Sequence, residues 1–253
     1  MLTWFPSPYP DELFYSVLCR YYVSSGVKEH YLVKKQLFGT KAGVKMATLY
    51  PNATVHAALL QLPDGVFDER DMILRHTPFL YYARMYPQEE REVLLDDLVQ
   101  GRSRTPTHLW KTFPKDNYAL RYCPSCVQED TQIYGEPYYH VEHQIPLSSV
   151  CVRHKCRLKQ IAVDNPRLAL NNRFYPLGTV ETAREPDMDV TPAELQVSGL
   201  VREYWKLPAS VSPPACNNLY QTLLNGGYMK IVRQNGLNID RAKPYAPPCG
   251  LHG

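Results

Sequence analysis

No stretch of this 253-residue chain approaches the ~18 consecutive apolar residues needed to cross a bilayer. Its start, MLTWFPSPYPDE, lacks the basic and apolar regions of a secretory signal. Both absences point to a cytoplasmic protein with no membrane partner. Strong charge of one sign is missing too, since a net charge of +3 does not by itself announce a nucleic-acid partner. There is no G-x-S-x-G, no G-x-G-x-x-G and no Walker A lysine, so the chain should not bind ATP itself. No internal repeat is found. Long helices or a coiled coil are not expected, because 22 prolines cut the chain into short elements.

What is present suffices for a real core. Hydrophobic residues make up 44% and charged ones 21%, a composition of folded chains, and the length suits one to two domains. The seven cysteines are the informative minority. Cys123 and Cys126 stand as C-x2-C, and Cys151 and His154 as C-x2-H, with 24 residues between the pairs. Two intervening residues let a tight turn aim both side chains at one ion, and two such half-sites complete a tetrahedron. This is the donor set of a closed, structural Zn2+ site with no position for water or substrate. Pro124 stiffens the first turn. Cys156 offers an alternative fourth ligand at the looser C-x4-C spacing, and His154 is the expected one. Cys19, Cys216 and Cys249 are scattered and the total is odd, which argues against a disulfide framework.

Around this centre the chain reads as mainly α. Asp11 is expected to cap a helix over 12–26, followed by a second over 29–39 that Gly39 closes; the pair has the outline of a helix-turn-helix. Further helices are expected over 52–62 (Asn52 as cap, His56 as a packing residue), 68–76 and 88–101, with Val93, Leu94 and Leu98 on the inner side of the last. Residues 164–190 read as a polar connection. Thr191, Pro192 and Glu194 spell a capped helix start over 191–205. PASVSPPA reads as a linker, 217–228 as a short helix, 229–236 as one more turn, and the proline-rich end as an exposed tail. The expected division is a helix-turn-helix-like domain over 1–121, a zinc-ribbon region over 122–162 and a second small helical region with a flexible tail over 163–253.

Cations interleaved with aromatics over 101–122 suit contacts to double-stranded DNA, with a solvated loop leading to the metal site as the favoured alternative. A second basic run after the ligands is the better candidate for a contact surface. The candidates are Lys111, Lys115, Arg121, Arg153, Lys155 and Arg157. In the proline-rich arm, Trp4, Phe5 and Tyr9 are candidates for docking a protein partner; folding back onto the first helix is the equal alternative. His143 and Gln144 are expected to hydrogen-bond across the ribbon and fix its loop. His140-Val141-Glu142 suggests a zinc deaminase, but the order of its motifs is reversed here and no P-C-x-x-C follows. A stand-alone DNA-binding regulator is the remaining alternative.

The motif-bearing stretch resembles the TniQ family, which includes TnsD-type target selectors of bacterial transposons. The resemblance is carried by Cys123, Pro124, Cys126, Tyr134, Gly135, Glu136, His143, Gln144, Pro146, Cys151 and His154, and by the opening FPSPYPDELFYSVLCRY. Tyr139 stands where a tryptophan is usual and Val141 where an arginine is common, while the ligands are intact. The resemblance implies a non-enzymatic protein that marks insertion sites and recruits an AAA+ ATPase transposition regulator. It also implies association with the bacterial nucleoid, by direct DNA reading or on an RNA-guided Cascade complex. A complete adaptor and the N-terminal part of a longer TnsD-type protein both fit this length.

Overall fold

The structure, a computed structural model, describes residues 2–39, 53–84, 86, 88–102, 119–163, 172–211, 229–232 and 236–239. It is mainly helical. The first six helices are α1 (Phe14–Ser25), α2 (His30–Phe38), α3 (Thr54–Leu59), α4 (Glu69–His76), α5 (Phe79–Ala83) and α6 (Gln88–Val99). Strand β1 (Arg121–Tyr122) then leads into α7 (Pro124–Tyr134) and the single turn α8 (Val141–Gln144). A hairpin of β2 (Val150–Cys151) and β3 (Cys156–Arg157) follows, and β4 (Lys159–Gln160) returns antiparallel to β1. The long α9 (Pro192–Lys206) is the last helix among the described residues, with β5 (Met229–Val232) and β6 (Gly236–Ile239) beyond it.

Local chemistry explains most of these boundaries. Gly26 ends α1 at φ +67, a left-handed conformation that a residue without Cβ adopts without strain. The Asp68 carboxylate caps α4 by accepting from the Asp71 amide. Thr191 and Glu194 form a complete capping box on α9, with Pro192 in the first turn.

Four expectations need correction. Asp11 does not cap α1: it lies at φ +58, its carbonyl accepts from the Val141 amide at 2.8 Å, and Leu13 holds the cap position. Pairing with a segment 130 residues away has displaced a local cap. In α6, Val93 is 60% exposed, and Arg91, Leu95 and Leu98 face inward at i, i+4 and i+7. The described part of 164–190 is no loose connection, because Phe174 and Leu177 are buried. The Tyr15 hydroxyl donates to the Arg173 carbonyl at 2.9 Å and accepts from the Tyr175 amide at 3.1 Å, so this strap's backbone is satisfied inside the fold. Finally, 229–236 contributes to a strand pair with Met229 opposite Ile239 and Val232 opposite Gly236. Its β-branched Ile231 and Val232 favour a strand over a helical turn. The cap expected at Asn52 and the helix expected over 217–228 lie outside the described residues.

One hydrophobic core runs through the molecule, from Leu2 and Phe5 through α1–α6 to Leu120, Tyr139, Val141, Ile145, Phe174 and Trp205. A second, small cluster comprises Cys123, Cys126, Cys151, Cys156 and Leu158. Arg84 ties the end of α9 to the core. Its buried guanidinium donates to the carbonyls of Leu207, Pro208 and Val211, so the start of the expected linker is fastened down.

Candidate metal centre

The first half-site is a helix start. Cys123 is the cap residue of α7, Pro124 occupies its first turn and the Cys123 sulfur accepts from the Cys126 amide at 3.4 Å. The second half-site is the β2–β3 hairpin, where Cys151 pairs with Cys156 in register and the Lys155 amide donates to the Cys151 carbonyl at 2.7 Å. The expected ribbon of two knuckles is therefore a helix N-terminus facing a hairpin. Proline at the first helical position and Gly135 at φ +81 after the last favour a helix between the half-sites.

These elements bring Cys123, Cys126, Cys151 and His154 together, with one donor atom from each within 4.8 Å of all the others. A tetrahedral zinc ion with Zn–S of ~2.3 Å and Zn–N of ~2.0 Å requires donor separations of about 3.5–3.8 Å. Cys126 Sγ and Cys151 Sγ are 3.8 Å apart, and His154 Nδ1 lies 3.6 Å from both Cys123 Sγ and Cys151 Sγ and 3.3 Å from Cys126 Sγ. The three sulfurs are buried, and hydrogen bonds to Cys123 and Cys151, with burial, push the Cys126 thiol up. A divalent cation reverses that preference by binding the thiolate outright. The donor set thus fits a closed, sulfur-rich metal site.

The surroundings orient the ligands. His154 turns Nδ1 to the sulfurs and Nε2 toward the Glu129 carboxylate, which lies 3.4 Å away on the outer side of the ring. Glu129, one helical turn after Cys126, went unnoticed in the sequence; its i, i+3 relation to a ligand on a predicted helix is the signal that would have found it. His143 Nε2 lies 3.9 Å from Cys126 Sγ. Gln144 does fix the loop: its Oε1 accepts from the Arg121 amide at 3.0 Å, and its Nε2 donates to the Arg121 carbonyl at 2.8 Å. His140 is held between Asp130, at 2.9 Å, and Asp11, at 3.6 Å. Burial opposes its charge, but the two carboxylates prevail and hold its pKa up to about 9.

The basic candidates are placed unequally. Arg121 points inward, donating to the carbonyls of Ser148 at 2.6 Å and Ile145 at 2.8 Å. Arg157 binds the Glu194 carboxylate at 2.7 Å and the Asp189 carbonyl at 2.6 Å, which docks the hairpin on the start of α9. Arg153 is exposed and pairs with Glu129, while Lys155 is exposed at the hairpin tip. Lys111 and Lys115 lie outside the described residues. In the arm, Phe5 is buried against Phe14, Tyr21 and Phe67. Tyr9 packs on Tyr134 and Tyr138 beneath the Arg20 guanidinium. Trp4 stacks on Tyr21 yet stays 52% exposed.

Residues 3–158 match the TniQ family model. The chain is also 28% identical over 181 residues to the transposon Tn7 transposition protein TnsD of Escherichia coli, covering 70% of this chain and 35% of that protein. It therefore spans little more than a third of that relative's length. The matched range takes in the arm, α1 to α8 and every residue of the metal site, and on that footing the chain belongs to the TniQ family.

Proposed function

We propose that this chain is a target-selection protein for DNA transposition: a zinc-stabilised platform that engages duplex DNA or a targeting complex and recruits an AAA+ ATPase regulator. The observation that carries this reading is the TniQ match over residues 3–158, in which all four candidate ligands are intact. Similarity to a protein named for Tn7 transposition supports the same process.

Cys123, Cys126, Cys151 and His154 would hold the zinc ion, which would supply a cross-link between α7 and the hairpin rather than an open coordination position. That closed donor set supports a non-enzymatic role. Arg153 and Lys155, exposed beside the centre, are assigned to DNA together with Lys111 and Lys115. Arg121, engaged inside the fold, and Arg157, paired with Glu194 at the surface, set the hairpin that presents them. The helix-turn-helix assignment of α1 and α2 belongs to this proposal, since Gly26 turns the chain between them and α2 exposes Tyr31, Lys35 and Gln36. In the arm, Trp4 is assigned to the ATPase, with Phe5 and Tyr9 anchoring it. An RNA-guided Cascade complex is the other carrier that could bring the platform to DNA.

The test is a pull-down of the cognate AAA+ regulator by this chain, with and without ATP and duplex DNA. Capture that depends on both is the expected result. No capture together with tight, salt-sensitive binding to a single DNA sequence would replace this proposal with a stand-alone regulator.

A further inference from the structure

We infer that Cys156 is a fifth donor of the metal centre, the residue that closes it as a four-thiolate site when the His154 imidazole leaves; this rests on the zinc reading above. Cys156 is fully buried, and its sulfur lies 3.3 Å from Cys123 Sγ, closer than Cys126 Sγ is to Cys151 Sγ at 3.8 Å. The hairpin explains why. Cys151 and Cys156 face each other in register, and Lys155 takes φ +52, so the turn that aims His154 at the sulfurs also brings Cys156 back against Cys123. No other described element needs this cysteine: its cluster contains only the other three sulfurs and Leu158.

The two candidates for the fourth position differ in how they are held. The His154 side chain is 24% exposed and is steadied by Glu129 from outside, whereas Cys156 sits at the protected edge of the cluster. With His154 in place, the Cys156 and Cys123 sulfurs lie within hydrogen-bonding distance of each other. Were the imidazole nitrogen to leave a bound cation, Cys156 would give its proton to solvent and supply its sulfur as the replacing donor. The ligand class is a thiophilic divalent cation, for which soft thiolates are favoured donors.

Cobalt(II) is the probe, because its absorption bands report the number of bound thiolates. The full-length chain is titrated as wild type, His154→Ala, Cys156→Ser, the double variant, and Glu129→Ala, which removes the carboxylate–imidazole contact but leaves every donor. Wild type and Cys156→Ser should give three-thiolate, one-nitrogen spectra. His154→Ala should bind one cobalt within about tenfold of the wild-type affinity and show a four-thiolate spectrum, and the double variant should bind at least about a hundredfold more weakly. Absence of binding by wild type would defeat the zinc reading itself. Wild-type binding with His154→Ala failing to bind, while Glu129→Ala binds, overturns this inference. So does a three-thiolate spectrum in His154→Ala, which would show His143 or water in the fourth position.

Discussion

The amide of Val150, next to the ligand Cys151, donates to the hydroxyl of Ser198 on α9 at 3.3 Å, and the Ser149 amide reaches the same oxygen at 3.3 Å. Ser198 is fully buried, so one side chain satisfies two amides at the point where α9 crosses β2. Ser198→Ala leaves both without this acceptor. We expect a loss of about 1–3 kcal/mol in urea unfolding of the metal-loaded protein. A change below about 0.5 kcal/mol would mean that α9 is not coupled to the hairpin.

Removing the metal should act locally first. A strong chelator, or Cys126→Ser, is expected to abolish hydrogen-exchange protection of the backbone over 121–160, because binding a structural ion and folding its site are one equilibrium. Protection in α4 and α6 should fall less, since their buried residues belong to the larger hydrophobic core. Unchanged protection over 121–160 would show that this core alone holds the region.

His140 makes stability fall on the alkaline side. Its folded pKa of about 9 lies above the ordinary 6.5, so its contribution is complete below pH 6.5 and is lost as the pH rises through 9. Glu12 acts in the same sense at lower pH: burial raises its carboxyl to about 7 against the pull of Arg20, so stability also declines between 4.5 and 7. The His140 contribution is on the order of 3 kcal/mol. Urea midpoints from pH 6.5 to 9.5 should drop for wild type and much less for Asp130→Asn, which removes the carboxylate at 2.9 Å. Parallel profiles for the two proteins would refute the assignment.

Lys155 and Arg121 should separate contact from support. Lys155→Ala should weaken DNA binding evenly across sequences and reduce the dependence of log K on log salt by about one unit, with little effect on folding. Arg121→Ala should chiefly cost stability, because it deprives the Ile145 and Ser148 carbonyls of their donor. Equal salt slopes for wild type and Lys155→Ala would remove Lys155 from the interface.

Gly101 cannot carry a side chain. It lies at φ +66, and an added Cβ would collide with the His56 ring, which is itself fixed by Glu69 at 3.0 Å. Gly101→Ala should lower the thermal midpoint by several degrees, corresponding to about 1–3 kcal/mol. Adding His56→Ala should recover part of the loss by clearing the collision. If the double variant is no better than the sum of the two single changes, the ring is not the obstacle.

Features determined by neighbours in the chain were legible from sequence. The C-x2-C and C-x2-H pairs, the capping box at Thr191 and Glu194 and the helix ends at Gly26, Gly39 and Gly101 all depend on residues within a few positions of each other. Tertiary structure decided whatever required distant segments to meet. Asp11 gave up a local cap to pair with Val141, Arg121 turned inward to the Ile145 and Ser148 carbonyls, Arg157 tied the hairpin to Glu194 at the surface, and Phe5 packed against Phe14 and Tyr21. The physical reason is burial: a backbone or charged group removed from water must find a partner, and the partners come from whichever segments the core brings alongside.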